Sequence, residues 1–426
     1  MNKTISFKEA LGFWLKLGFI SFGGPAGQIA IMHRVLVDEK KWIEEERFLH
    51  ALNFCVLLPG PEAQKLATYV GWLLHGTRGG LAAGILFVLP GALVMLGLSI
   101  LYAIGRGIPA VEGALFGIKA AVLVIVVEAL LRIGKRALKT RFLVGVAAAA
   151  FIGIFFLAIP FPIIVVAAAL TGFFVTRAPI GAAVVPVAGR WRHAAAAIAT
   201  GLVLWWVPVL AVVMLLGSGH VLATVGLFFS KLAVVSFGGA YALLAYMAQQ
   251  AVETHHWMSA PEMVDGLGLA ETTPGPLILV TQFVGFLAGF RDPAPFSPLG
   301  AGIAAAALTT WVTFVPPMML IFAGAPFVEN LRSNKRLSGA LAAITAAVVG
   351  VILNLTVWFA LHVLFGQVEE RAAGPLRWYA FDPLALDLKV AALATLAAVL
   401  AFGFKRGLVE LVLVMAALGV ALRLFL

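Results

Sequence analysis

SFGGPAGQIA, residues 21–30, interrupts the first apolar stretch of the chain, and SFGGAYALLA, residues 236–245, interrupts another one 215 positions later. Paired glycines and a proline weaken a helix, because glycine loses the most backbone freedom on ordering and proline has no N–H to give. Set against itself at that shift, the chain duplicates the interruption together with its surroundings. Phe13 meets Phe228, Lys16 meets Lys231, Ser21-Phe22-Gly23-Gly24 meets Ser236-Phe237-Gly238-Gly239, and Pro59-Gly60-Pro61 meets Pro274-Gly275-Pro276. Fifteen positions are identical across residues 13–61 without a gap. At a shift of 226, Pro90 meets Pro316 and Gly113-Ala114-Leu115 meets Gly339-Ala340-Leu341. The chain therefore reads as two repeats, expected at 1–193 and 220–426, with a linker span at 194–219 between them.

Of 426 residues, 62% are apolar and 12% charged, about half the charge of an ordinary soluble domain. The implied solvent is lipid. Segments such as 79–104, 111–133 and 339–365 exceed the ~20 residues a helix needs to cross a hydrocarbon core. They do not alternate apolar and polar residues as barrel strands do. The expected fold is an all-α polytopic membrane protein with about 13 hydrophobic segments. Six fall in the first repeat, at 10–32, 48–74, 79–104, 111–133, 141–159 and 161–177. One lies at 194–217, and six follow at 221–247, 262–290, 298–325, 339–365, 384–402 and 408–426.

An odd linker span inverts the second repeat relative to the first. Loop charge agrees. Arg132, Lys135, Arg136, Lys139 and Arg141 follow the fourth segment, whereas Arg371 and Arg377 are its only counterparts near 366–383. After the third segment the bias reverses, with Arg106 alone against Arg332, Lys335 and Arg336. The loop at 33–47 disagrees. It mixes Arg34, Lys40, Lys41 and Arg47 with five acids, and is expected to form an interfacial amphipathic helix. The net charge of +10 thus belongs to membrane topology and not to nucleic-acid binding. The single cysteine, Cys55, excludes an intrachain disulfide and reads as a small core residue. Lys3 and Lys8 before an apolar run suggest a leader, but Lys16 inside that run and its recurrence at 228–247 mark it as part of the fold.

The Pro-Gly-Pro triplets sit inside hydrophobic segments. Non-helical backbone at membrane depth survives only where protein covers it or a wet cavity meets it. Each triplet is expected to separate two half-helices, with the second offering free N–H groups and a partial positive charge to an anion. Matching breaks in two inverted halves are the arrangement of secondary transporters; a structural kink or close helix packing is the other reading. The candidate solute-binding residues are those at and beside the breaks: Lys16, Ser21, Gly23, Gly24, Gln28, Gly60, Gln64 and Lys65, then Lys231, Ser236, Gly238, Gly239, Thr272, Thr273 and Gly275. Glu62 and Glu271 are candidate proton carriers, although Glu62 and Lys65, three apart, could instead pair with each other. Lys16 and Lys231 suit either a dianion or snorkelling to the interface. Lys119 lies mid-segment where it could line a path, and Glu128 is set to pair with Arg132. His255-His256 read as interfacial and not as metal ligands. No nucleotide loop, zinc motif or catalytic triad appears, so neither an enzyme nor a cofactor is expected.

FGGPAGQ at 22–28, LLPGPEAQKLATYVGW at 57–72 and the second-half SFGG with ETTPGP closely resemble the chromate ion transporter family in its two-domain form, along essentially the whole chain. The resemblance implies a bacterial inner-membrane exporter of chromate that confers chromate resistance. The second half departs from the first, with Ala240 in place of Pro25 and Leu243 in place of Gln28. A dianion leaves a negative cytosol downhill, by about 4.6 kcal/mol per 100 mV, so the membrane potential or proton exchange would suffice. Sulfate, also a tetrahedral dianion, is a competitor or an alternative substrate. A passive anion channel is the other class of function, and a homodimer is compatible with the sequence.

Overall fold

The computed structural model describes residues 5–22, 24–105, 107–176, 190–237, 240–325 and 335–425. Gly23, Gly238 and Gly239 lie outside the described residues. The first repeat contains α1 (Phe7–Ile20), α2 (Gly24–His33), α3 (Glu45–Leu57), α4 (Glu62–Ile104), α5 (Pro109–Ala137), α6 (Arg141–Phe155) and α7 (Phe161–Val175). Helix α8 (Arg190–Leu216) links it to the second. There follow α9 (Val221–Val235), α10 (Ala240–Gln249), α11 (Ala260–Thr272), α12 (Val280–Arg291), α13 (Pro298–Gly324) and α14 (Lys335–Leu364). Strands β1 (Val368–Ala373) and β2 (Leu376–Phe381) precede α15 (Leu388–Ala398) and α16 (Leu408–Phe425).

The protein is a polytopic α-helical membrane protein. Among the described residues, six helices are long and apolar enough to span a bilayer, within α4, α5, α8, α13, α14 and α16, and shorter apolar helices accompany them. On α8, Val203, Val207, Leu210, Met214 and Leu215 face outward, an apolar surface that only lipid covers at low free energy. Pro208 within α8 leaves the carbonyl of Leu204 without its helical donor. The indole Nε1 of Trp311 donates to that carbonyl at 2.7 Å, so the proline becomes an attachment point for α13.

The duplication read from the sequence recurs in backbone detail. Both apolar segments that carry SFGG stop in the same way, with Phe22 N donating to Ile20 O and Phe237 N to Val235 O at 3.0 and 2.9 Å. Both then pass through a π-helical turn, at Arg34–Glu39 and Gln250–Thr254. Lys41 and His256, equivalent residues, share a φ of 51°. Trp42 N and Trp257 N donate to Leu36 O and Ala251 O, each at 2.8 Å. The loop at 33–47 is therefore not the amphipathic helix expected of it. A single wide turn gives way to extended chain, and Lys40 to Glu9 (3.0 Å) and His33 to Glu45 (2.6 Å) tie the charged residues down pairwise.

The segments at 10–32, 48–74, 221–247 and 262–290 are each divided, as their glycines and prolines suggested. The expected boundary between 48–74 and 79–104 is a sharp turn inside α4, where His75 is non-helical and Gly76 takes φ 60°, ψ −154°. The stretch at 366–383, read from sequence only as a loop, forms an antiparallel hairpin that turns at Gly374. Its Arg377 is buried and donates to Ile154 O (2.7 Å) and Phe155 O (3.3 Å). Those carbonyls end α6, where a cation complements the helix dipole. Glu253 pairs with the same guanidinium at 3.3 Å.

The chain forms two compact units that do not follow the repeats. One takes Met1–Ser99, Pro179–Ala240 and Thr273–Lys335; the other takes Ile100–Ala178, Tyr241–Thr272 and Arg336–Leu426. Within the second unit the long helix of each repeat is seated by the last helix of the other. A Cβ on Gly117 of α5 would lie 1.8 Å from Met415 O of α16, and one on Gly172 of α7 would lie 2.4 Å from Gly339 O of α14. Small residues at such crossings let backbones touch in lipid, where packing replaces the hydrophobic effect. The first unit shows the same exchange. Gly91 packs on Pro274, whose carbonyl would lie 2.1 Å from an added Cβ, and Pro317 packs on Gly60, with Cγ at 2.4 Å.

Gly91→Ala should therefore lower the stability of the purified protein in detergent by about 1–3 kcal/mol. Gly97→Ala, on the same helix with nothing within 4 Å, should leave the melting temperature unchanged or raise it. Equal melting curves for both variants would contradict the close approach.

Candidate functional site

Helix α1 ends at Ile20 and α9 at Val235, so the carbonyls of Ser21 and Ser236 stand free of any helix. Helix α3 ends at Leu57 and α11 at Thr272, each followed by a Pro-Gly-Pro break. Gly60 takes φ 105° and Gly275 φ 91°, open to glycine and strained for other residues. These four termini meet crosswise. Gly60 N donates to Ser236 O at 2.9 Å, and Gly275 N donates to Ser21 O at 2.8 Å. Each break is thus satisfied by the other repeat's interrupted helix, in the reciprocal pattern of a local two-fold axis. The glycine amides expected to face a solute are engaged here.

Gln28 serves the same junction. Its Nε2 donates to Gly275 O at 2.6 Å and more weakly to Ser21 O at 3.4 Å. Its equivalent is Leu243, which cannot donate, so the two halves differ as the sequence suggested. Ser236 Oγ turns back to Ala233 O (2.7 Å) and Thr272 Oγ1 to Leu269 O (2.8 Å). Thr273 and Glu271 are buried, and Gly24 takes φ 69°. Lys16 and Lys231 are exposed on α1 and α9 and do not join the buried group.

The first break carries the charge. Helix α4 begins at Glu62, so the N–H groups of Ala63 and Gln64 fall in a first turn, where a helix leaves its amides without an acceptor. Lys65 is 1% exposed, and its ammonium donates to the carbonyl of Leu58 on the other side of the break. It therefore does not form the ion pair with Glu62 that their spacing allowed, and Glu62 is half-buried. Gln64 is fully buried with neither amide atom bonded, and Ser21 Oγ is buried and unbonded as well. In the same unit Gln282 Oε1, Thr309 Oγ1 and Thr313 Oγ1 are buried without partners. A buried polar group left unmatched costs roughly 1–3 kcal/mol, so buried polar atoms are normally matched and these stand out. Within residues 62–65 the first break gathers an ammonium, an unmatched amide and a helix N-terminus. At the second break the residues equivalent to Glu62, Gln64 and Lys65 are Leu277, Leu279 and Val280.

Sequence reading passed over Asp265 and Glu262, both 3% exposed on α11. The signal was available: two acids within an apolar helix are costly unless partnered. Glu128 and Arg132 pair at 3.7 Å as their spacing suggested.

Gln64→Leu should keep or raise thermal stability, since it removes two unmatched polar atoms, while abolishing anion-dependent protection from melting. A fall of more than about 1 kcal/mol in stability would show that the amide is bonded within the fold instead.

The chromate transporter family model matches the chain twice, over residues 8–173 and 223–422. A chromate transport protein of Pseudomonas aeruginosa is 34% identical over 362 residues, spanning 83% of this chain and 81% of that protein. A probable chromate transport protein of Synechococcus elongatus is 27% identical, over 84% of this chain and 85% of its own. A chromate transport protein of Cupriavidus metallidurans is 25% identical, over 83% and 82%. No solved structure matches the chain. With two family matches that fall on the two repeats and relatives aligned along most of its length, the chain belongs to the chromate transporter family.

Proposed function

We propose that this protein is a secondary transporter that exports chromate from the bacterial cytosol across the inner membrane, with the first Pro-Gly-Pro break as its oxyanion site. One observation carries the reading: Lys65, 1% exposed, opens a helix that starts within an apolar segment, next to a Gln64 whose amide has no partner. Ionised groups at membrane depth are retained where a solute or a proton needs them. An ammonium beside a helix N-terminus is the arrangement that holds tetrahedral oxyanions. Sulfate has the same charge and shape and competes for the site.

Ser21, Gln64 and Lys65 bind the anion, Gln28 positions the junction behind them, and Glu62 or Glu271 exchanges protons. Lys16 and Lys231 draw anions toward the openings of the pathway. The repeats at 1–193 and 220–426 lie in opposite orientations, and rocking about their shared breaks exposes the site to either side. Efflux of a dianion is driven by the membrane potential, worth about 4.6 kcal/mol per 100 mV for two charges.

Everted vesicles containing the protein should accumulate labelled chromate when energised, saturably and with competition from sulfate. Lys65→Met, which keeps the side-chain volume, should lower uptake by at least about tenfold without changing the amount of protein in the membrane. Energised vesicles that accumulate no chromate would refute export, and a steady, non-saturating anion current would assign a passive channel.

A further inference from the structure

In the second unit a cavity of about 430 Å³ opens between the end of α4, the first half of α5, α11 and the end of α16. Its polar lining is Tyr102, Glu112, Lys119, Asp265 and Arg423. Gly268 makes this possible, because a Cβ there would lie 2.1 Å from Ile118 Cγ2. That close approach sets α11 against α5 and brings Asp265 Oδ1 within 3.4 Å of Lys119 Nζ. The Tyr102 hydroxyl donates to Asp265 Oδ2 at 2.8 Å. Arg423 pairs with Glu112 at 3.0 Å, and both are exposed. Lys119 lies ten residues into α5, about 15 Å along its axis and so near the middle of a ~30 Å hydrocarbon core. The cavity thus joins an ion pair at the membrane edge to one at mid-depth.

We propose that this cavity is a second oxyanion site, in which the Asp265 carboxylate is the resident counter-anion of Lys119 and yields that place to the solute by taking up a proton. The inference rests on the transport reading above. The proton comes from water and ends on the carboxyl of Asp265; Lys119 remains an ammonium throughout and passes from carboxylate to oxyanion. Tyr102 keeps its hydrogen bond to the neutral acid, which fixes the carboxyl while its charge changes. Among the described residues, the charged groups on the elements around Asp265 include Lys119 and Glu112 on α5, Arg423 on α16, and Glu262 and Glu271 on α11, with the Tyr102 hydroxyl at the end of α4. Glu262 already accepts from Ser259 N at 2.8 Å. A dianion that enters with one proton leaves a single net charge for the membrane potential to move, so pH on the loading side becomes a control on binding.

The test is equilibrium binding of labelled sulfate, whose charge is constant near neutral pH, to the full-length purified protein across that range. Wild type should bind more tightly as pH falls. Asp265→Asn should bind about tenfold more tightly at neutral pH and lose the pH dependence. Lys119→Gln should lose the pH-dependent component, with Lys119→Arg restoring it. Lys65→Met should abolish binding at the first break and leave this component in place. If wild type binds neither sulfate nor chromate, both readings fall. If it binds, and Asp265→Asn and Lys119→Gln melt and bind as wild type at every pH, the transport reading stands and the Asp265–Lys119 pair is only structural.

Discussion

The fold depends on one exchange of backbone hydrogen bonds, Gly60 N–H to Ser236 carbonyl and Gly275 N–H to Ser21 carbonyl. Lipid cannot satisfy a free amide or carbonyl, and each one left unmatched in hydrocarbon costs several kcal/mol. A sequence that breaks four apolar segments therefore has to match the loose ends with one another. Here the donors are the left-handed glycines of one motif, and the acceptors are the carbonyls that the other motif frees. The unusual glycine conformation is what turns each amide toward its partner. Gln28 then adds a side-chain donor on one side only.

That asymmetry separates scaffold from chemistry. Both breaks place a positive-φ glycine between prolines, yet Gln64 and Lys65 accompany only the first, and leucine and valine stand at the equivalent places in the second. Duplication supplied a symmetric frame in which two broken elements match. The first copy carries an ammonium in the opening turn of its helix, while Leu277–Val280 pack as core in the second, whose buried Glu271 and Thr273 precede the break instead.

Much of this was legible in the residues. The repeats, the breaks at SFGG and Pro-Gly-Pro and the turn near residue 75 follow from glycine and proline chemistry, which is local. What the breaks would bond to was not legible, because each bonds across the repeats, Gly60 to Ser236 and Gly275 to Ser21, far apart in the chain. The amides of Gly60 and Gly275, two of the candidate binding residues, are engaged within the fold for that reason. The hairpin at Val368–Phe381 was missed because its short strands carry as many charges as a loop does, and its anchor, Arg377, acts on helix ends far away in sequence. Asp265 lies outside the repeated motifs, on an α11 that also carries Glu262 and Glu271, and no local rule pairs it with Lys119 on a distant helix.

The crossed seating of the long helices bears on how the protein is made. Helix α5 rests its glycines on α16, and α14 rests on α7, so each finds its seat in the other repeat. The early half thus enters the bilayer with a notched surface and waits there until the later helices follow. During that interval its grooves are filled by acyl chains, and assembly consists of their displacement. A chain without α16 leaves Gly113 and Gly117 of α5 without the backbone they are shaped for, while α11 still meets α5 at Gly268.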